Sequence, residues 1–360
     1  MSGSVRERPV DATPVVLGRA TSPATLDVVR RARRRPARRH RMVVVVLVAL
    51  LVAVVLVRVT LGDFVVTLPD AVRILLGEDL PGASYVLMES KLPRAVLGVL
   101  VGVAFGVGGA VFQSTLRNPL ASPDVIGVST GASAAAVFAI VTLEQRGLAV
   151  SVAAVLGAVL TAALVRWQAG PGTSTRLVLV GVGVSAALFS VVSFLFTRAD
   201  QWDVQIVLQW LTGSLNRADW AGIRLLSLLL LVLLPVVVGL SRAAQVAELG
   251  EDTAAGLGVS ARATEGLLLV AVLLVALGVA AAGPIAFVSF LAGPIARALN
   301  GGRTTLLGAG LVGAVIVVGG DHAAAYLVPD VNYPVGVVTG ALGAPFLLWL
   351  LATGRTTRRT

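Results

Sequence analysis

The stretch FQSTLRNPLASPDVIG (112–127) interrupts a long apolar region of the chain. It follows the glycine-rich apolar run LGVLVGVAFGVGGAV (97–111), and small and apolar residues resume directly after it. Its prolines cannot continue an α-helix, because proline lacks the backbone N–H and its ring clashes with the preceding turn. Arg117 and Asn118 can bond to carbonyl groups that become free where the chain reverses. We therefore predict a structural turn at Arg117, Asn118 and Pro119 between two helices, rather than a ligand site.

The composition is typical of a membrane protein. Of the 360 residues, 56% are hydrophobic and only 13% are charged, whereas about a quarter of a soluble domain is charged. Apolar runs close to the length of a membrane-spanning helix recur along the chain. The absence of cysteine excludes disulfides, thiolate metal sites and cysteine nucleophiles, and the two histidines, His40 and His322, cannot build a histidine metal site. We predict no catalytic residues, no bound metal and no cofactor.

The apolar pattern predicts an all-α membrane protein of about ten transmembrane helices in a compact bundle. The transmembrane domain covers residues 42–352, between a disordered basic tail (1–41) and a short C-terminal tail (353–360). Residues 198–219 predict an additional interfacial helix with aromatic anchors. The predicted spans are 42–61, 92–113, 125–143, 148–167, 177–196, 220–240, 264–282, 284–299, 306–320 and 334–351.

The distribution of basic residues predicts the orientation in the cytoplasmic membrane. With the N-terminus inside, 21 of the 29 arginines and lysines fall on the inner side, and eleven of these lie in the tail. An even number of spans puts both termini on the same side, which the positive-inside rule makes the cytoplasm. We interpret the basic tail as a membrane-proximal anchor rather than a nucleic-acid-binding arm.

The sequence contains no site that could hydrolyse a nucleotide through a P-loop. That motif needs a lysine followed by serine or threonine, and the only lysine, Lys91, precedes a leucine. A carrier driven by an ion gradient usually has acidic residues in mid-membrane, but we place Glu265 and Asp321, the nearest exceptions, at span ends. A partner could therefore supply the energy. The inner loop 241–263, with Glu248, Glu251 and Asp252 as acids, could dock such a partner or be an ordinary connector.

Several motifs together resemble one known family. They cover roughly residues 42–352 in the family's order. The chain resembles the iron-siderophore, haem and cobalamin permease family of ABC importers. The stretches that carry the resemblance are KLPRAVLGVLVGVAFGVGGAVFQSTLRNPLASPDVIGVSTGAS (91–133), GTSTRLVLVGVGVSA (172–186), QWLTGSLNRADW (209–220), ELGEDTAAGLGVSARA (248–263), AGPIAFVSFLAGPIAR (282–297), GAVIVVGGD (313–321) and YPVGVVTGALGAPFLLWLL (333–351).

The resemblance implies a type II importer permease with no enzymatic activity of its own. It implies a second permease subunit across a central path, a cytoplasmic ATPase dimer that binds ATP, and an extracytoplasmic substrate-binding lipoprotein. A ferric siderophore is the expected cargo, and cobalamin and haem are the alternatives. A gradient-driven secondary transporter and a non-transporting membrane scaffold are the alternatives outside the family.

The resemblance also implies roles for individual residues. Lys91 and Arg94 fall on a basic element that contacts the binding protein, with a lipid-headgroup anchor as the alternative. Thr173 and Ser174 fall on the inner gate, and Gln113 is a candidate for lining the path. The segment that couples to the ATPase contains Glu248, Leu249, Gly250, Ala254, Leu257 and Gly258.

The chain departs from the family pattern near its C-terminus. Asn332 and Tyr333 stand where many members have glutamate and leucine. This weakens the case for a complete set of binding-protein contacts on this chain. It favours a heterodimer, in which a different permease subunit supplies the missing contacts, over a homodimer.

Overall fold

The computed structural model describes residues 23–170, 174–247, 251–258, 260–326 and 331–352, and these residues form helices and connecting turns without a β-strand. Each of the ten predicted spans is a helix, so the predicted all-α architecture is confirmed. The helices are α1 (Pro23–Thr60), α2 (Leu68–Leu75), α3 (Ala83–Tyr85), a π-helix (Val86–Lys91), α4 (Leu92–Thr115), α5 (Val128–Val141), α6 (Leu148–Ala169), α7 (Ser174–Thr197), α8 (Gln201–Thr212), α9 (Trp220–Ala247), α10 (Glu251–Gly256), α11 (Ala261–Ala282), α12 (Val288–Leu299), α13 (Leu306–Tyr326) and α14 (Val335–Ala352).

The ten helices that correspond to predicted spans differ in length. Among the described residues, seven helical stretches are long and apolar enough to cross a membrane. Three further apolar stretches, Val128–Val141, Val288–Leu299 and Val335–Leu348, are shorter. A shorter helix can serve within a bundle because its neighbours cover the irregular backbone at its ends.

The chain forms two compact units, Met1–Met42 and Val43–Thr360. In the first unit, helix α1 begins at Pro23, within the tail that we predicted to be disordered. Arginine and alanine, which are abundant there, are strong helix formers. The tail residues before Pro23 lie outside the described part of the chain, and so does the C-terminal tail 353–360.

In the second unit, α4 is the central helix. In its most apolar 18-residue window 78% of the residues are buried, whereas the corresponding shares for α6, α7 and α9 are 28%, 17% and 22%. Helices α11, α12 and α13 pack directly around α4. The outer helices present apolar side chains on their exposed faces, which is the surface that lipid requires.

Glycine allows this close packing around α4. A methyl group at Gly102 or Gly106 would overlap the backbone of α13, and one at Gly109 would overlap the carbonyl oxygen of Ser289 on α12. Small residues let two helix backbones approach each other within the bilayer, where lipid removes most of the hydrophobic drive for helix association. The glycines of α4 therefore serve bundle packing.

A turn follows α4 at Arg117 and Asn118. Arg117 adopts a left-handed conformation with φ of 52°. The backbone N–H of Asn118 donates to the carbonyl oxygen of Gln113 at 3.1 Å, and the side-chain oxygen of Asn118 accepts from the backbone N–H of Leu120 at 2.9 Å. These bonds close the end of the helix before Pro119 redirects the chain.

Candidate functional site

Three charged side chains from three helices form a buried cluster at one end of the bundle. Asp321 of α13 accepts a hydrogen bond from Arg58 Nε of α1 at 2.6 Å and another from Arg94 Nη2 of α4 at 3.0 Å. The carboxylate bridges the two guanidinium groups, and Asp321 is only 2% exposed. A carboxylate held by two arginines joins α1, α4 and α13.

This cluster corrects the prediction that Asp321 lies at a span end. Helix α13 continues to Tyr326, so that Asp321 lies inside the helix and is buried. By contrast, Glu265 is near the start of α11 and 59% exposed, and it forms an ion pair with Arg166 at 2.8 Å. Glu265 is therefore terminal, as predicted.

Lys91 lies beside this cluster, and its side chain caps the C-terminal end of α1. Its Nζ donates to the backbone carbonyl oxygens of Thr60 at 3.3 Å, Leu61 at 2.9 Å and Phe64 at 2.6 Å. The last carbonyl groups of a helix have no partner within it and carry partial negative charge, so a cation is well placed there. Lys91 is only 4% exposed.

The structure therefore corrects the roles predicted for Lys91 and Arg94. A contact with a binding protein, or with a lipid headgroup, requires a side chain on the outer surface. Lys91 uses its three donors on carbonyl oxygens of the same chain, and Arg94 pairs with Asp321. Both residues hold the end of the bundle together.

A second polar cluster, which is partly buried, surrounds Asp124 in the segment between α4 and α5. Its Oδ1 accepts a hydrogen bond from the Ser129 hydroxyl of α5, and its Oδ2 accepts one from the Ser289 hydroxyl of α12. Burial raises the pKa of Asp124 above the ordinary value of an aspartate, and the two serine hydrogen bonds offset only part of this rise. Sequence reasoning missed this cluster because Ser289 is far from Asp124 along the chain.

The predicted path and gate residues lie in different surroundings. Gln113 is 1% exposed and donates from Nε2 to the carbonyl oxygen of Phe290 at 3.0 Å. It therefore links α4 to α12 and faces that helix rather than an open path. Ser174 is the first residue of α7, and Thr173 lies outside the described residues.

The predicted coupling segment includes one short helix. Helix α10 is followed by a turn in which the N–H groups of Leu257 and Gly258 donate to the carbonyl oxygens of Thr253 and Ala255, both at 3.0 Å. Leu257 is apolar but 61% exposed. Of the predicted coupling residues, Ala254 lies in α10, and Glu248, Leu249 and Gly250 lie outside the described part of the chain.

Comparison with known proteins identifies similar chains over most of the sequence. The sequence pattern of the FecCD transport family matches residues 49–353. The ferric enterobactin transport system permease protein FepG of Escherichia coli (strain K12) is 38% identical over 282 residues, which cover 77% of this chain and 85% of that protein. The Fe(3+) dicitrate transport system permease protein FecD of the same strain is 38% identical over 275 residues, covering 75% and 86%.

A solved structure has the same fold. A metal-chelate type ABC transporter in an inward-facing conformation superposes with a TM-score of 0.77 at 25% sequence identity. The match covers 87% of this chain and 99% of that one. The two polar clusters, the turn after α4 and the short helix α10 thus lie within a fold that is already known for an ABC transporter.

Proposed function

This chain belongs to the FecCD transport family, and from that membership we propose that it is the permease subunit of an ATP-driven importer that moves a ferric siderophore across the cytoplasmic membrane. The observation that carries this proposal is the similarity to the FepG and FecD permeases over three quarters of the chain. The chain is a transport permease rather than an enzyme, and ATP hydrolysis belongs to a separate subunit. Members of the family work with an ATPase and a substrate-binding protein.

The ionic contacts of Asp321 and Glu265 favour this class over a gradient-driven carrier. A proton or ion relay needs a carboxylate that can gain and lose its ion during transport. Asp321 is held between two arginines, and Glu265 is an exposed residue paired with Arg166. Neither acid is placed to carry an ion through the bundle.

Uptake measurements test the proposed cargo. Cells that lack this chain are supplied with iron-labelled catecholate, citrate and hydroxamate chelates, labelled haem and labelled cobalamin. We expect loss of uptake of at least one ferric chelate, and recovery when the gene is restored. Loss of cobalamin or haem uptake alone would instead support one of the two alternative cargoes.

We propose that the segment 248–258 docks into the ATPase. The exposed Leu257 after the short helix α10 supports this, because an exposed apolar side chain on a short ordered element suits a protein contact. In reconstituted vesicles that contain the complete transporter, Leu257→Asp should reduce chelate-stimulated ATP hydrolysis. The matched control is Leu76→Asp, since Leu76 is 82% exposed and follows α2. Equal stimulation in wild type and Leu257→Asp would argue against docking at this point.

Charge reversal tests the same segment in a second way. Replacing Glu251 and Asp252 with lysine reverses the charge of the segment 248–258 at two positions. We expect ATP hydrolysis to become uncoupled from transport, while the amount of protein in the membrane stays the same. Preserved coupling in this variant would contradict the electrostatic part of the proposal.

We propose cytoplasmic N- and C-termini, on the basis of the arginine and lysine distribution. The chain has no cysteine, so single cysteines can be introduced without background labelling. Cysteine at position 257 should be protected from a membrane-impermeant maleimide in intact cells, and cysteine at position 76 should react. Reaction at position 257 together with protection at position 76 would show the opposite orientation in the membrane.

The gate role of Thr173 and Ser174 remains a proposal that rests on their positions in the family motif. We also propose that the second permease subunit is a different chain, because Asn332 and Tyr333 depart from the family pattern. Affinity purification of the assembled transporter tests this. A functional complex that contains two copies of this chain and no other permease would refute it.

A further inference from the structure

A furrow of about 720 Å³ lies between α6 and α9. Both helices pack against α11, which forms the floor of the furrow between them. Small-molecule sites in proteins usually have volumes between about 300 and 1,000 Å³. The furrow is therefore large enough for a ligand, and it lies between helices of the membrane-spanning unit.

The walls of the furrow are apolar. Val152 and Leu156 line it from α6, and Leu225 and Leu229 line it from α9; all four are exposed. Leu277 of α11 contributes to the floor. Such a surface favours a hydrocarbon occupant over water.

One end of the furrow is polar, with the charged side chains of Arg146, Arg217 and Asp219 among its lining residues. Arg146 is neutralised by Asp203 at 2.5 Å, and the carboxylate of Asp219 accepts a hydrogen bond from the N–H of Gly222 at 2.7 Å. The guanidinium of Arg217 donates to the neutral side chain of Gln209, at 3.2 Å. The guanidinium of Arg217 therefore has no ion-pair partner in the described part of the chain, and it lines this end together with Trp210 and the charged carboxylate of Asp219.

The length of the lined region indicates the size of the occupant. The lining residues run from Leu148 to Leu156 on α6 and from Ala221 to Leu229 on α9. At 1.5 Å per residue, each wall is about 12 Å long. One leaflet is half of a hydrocarbon core of about 30 Å, and a transmembrane helix needs about 20 residues. The length of the furrow is close to the thickness of one leaflet, and it is too short to hold a complete membrane-spanning helix.

We propose that this furrow binds one phospholipid, with an acyl chain between α6 and α9 and the phosphate at Arg217. The apolar walls hold the hydrocarbon, and the guanidinium forms charge-assisted hydrogen bonds with the phosphate oxygens. Trp210 lines the same furrow, and tryptophan prefers the membrane–water interface. This site is separate from the coupling segment and does not depend on which chelate is transported.

Lipid binding can be measured directly on the complete transporter. Phosphatidylglycerol is added to the delipidated complex in detergent, and bound lipids are counted by native mass spectrometry. We expect saturable binding of one lipid at this site of the wild-type chain. Arg217→Glu should weaken it between about tenfold and about a hundredfold, because a charge-assisted hydrogen bond is lost and a repulsive charge is added. The matched control is Arg224→Glu, since Arg224 is exposed on α9 but does not line the furrow.

A second pair of variants tests the apolar part of the site. Ala221 and Ala281 line the furrow and are exposed, so phenylalanine at both positions fills it without entering the packed core. This double variant should also lose the bound lipid. Val232→Phe adds an aromatic ring to an exposed position of α9 outside the furrow and should bind lipid like the wild type.

Several results would overturn the proposal. Equal losses in Arg217→Glu and Arg224→Glu would show diffuse attraction to lipid headgroups rather than a site. Unchanged binding in the phenylalanine double variant would place the lipid elsewhere, and displacement by inorganic phosphate would show an anion site without a lipid. A cross-link from cysteine at position 221 to another subunit would make the furrow a protein interface. Because no transported chelate is needed, failure here is distinct from failure of the proposed transport function.

Discussion

Replacing Asp321 with asparagine should destabilise the protein by about 3–5 kcal/mol, the usual cost of removing one partner from a buried ion pair. Asp321 and Arg58 are each only 2% exposed, and the carboxylate bonds to Arg58 at 2.6 Å and to Arg94 at 3.0 Å. Asparagine keeps the shape but removes the charge, and its NH₂ group faces one of the two guanidinium donors. Arg58, which is buried, and Arg94, which is partly buried, are then left without a counter-charge.

The exposed ion pair of the same protein provides the control. Glu265→Gln breaks the pair with Arg166, whose side chains are 59% and 45% exposed, and it should cost at most about 1 kcal/mol. Adding Arg58→Gln to Asp321→Asn removes one of the two uncompensated charges. The double variant should therefore be more stable than Asp321→Asn alone, which a double-mutant cycle measures as coupling.

The assay is reversible unfolding of the purified protein in mixed micelles of mild detergent and dodecyl sulfate. A loss below about 1 kcal/mol in Asp321→Asn, similar to that of Glu265→Gln, would refute the reasoning. Uptake should be compared per folded transporter. The charge of the Asp321 carboxylate is balanced by arginines of the same chain, so the Asp321→Asn molecules that fold should retain uptake. A complete loss of uptake in these molecules would favour the gradient-driven alternative.

Three further perturbations test the packing and the polar contacts. Gly109→Ala should sharply reduce the amount of folded protein, because the added methyl group overlaps the carbonyl oxygen of Ser289. Gly183→Ala should be tolerated, because no atom lies within 4 Å of the added methyl group. The amount of detergent-resistant folded protein is measured for both variants. Lys91→Met should lower the unfolding free energy by about 1–3 kcal/mol, since three carbonyl oxygens lose a buried donor, and the same unfolding assay measures it. The raised pKa of Asp124 means that the folded state binds more protons than the unfolded state, so stability should fall as pH rises from the unfolded to the folded pKa. Asp124→Asn should remove this part of the pH dependence, and an unchanged stability profile between pH 4 and pH 8 would contradict the assignment.

The helices were predictable because the signals that specify them are local. A membrane-spanning helix satisfies its own backbone hydrogen bonds, so a run of apolar residues is sufficient to indicate it. The turn at Arg117 was predictable for the same reason, since proline and the neighbouring polar residues act within a few positions of one another. Helix α1 starts earlier than predicted because local composition in the tail favours helix, although its charge led us to predict disorder.

The side-chain roles were less predictable because their partners are distant in the sequence. When only the residues adjacent in the sequence are considered, a basic residue just before a span is expected to be a charge on the protein surface. The carbonyl oxygens that bind Lys91 lie about 30 positions away, and the carboxylate that binds Arg94 lies 227 positions away. Similarly, Asp124 lies between α4 and α5, and Ser289, one of its two partners, comes from the distant helix α12.

The amino-acid sequence by itself determined that this protein spans a membrane with about ten helices, that it lacks a P-loop of its own, and where the chain turns after the central helix. These properties depend on composition and on interactions between near neighbours. The tertiary structure alone decided which charges neutralise one another, which glycines contact another backbone, and where α6 and α9 leave a furrow. Those properties depend on which helices pack together, and packing joins residues whose separation along the chain carries no local signal.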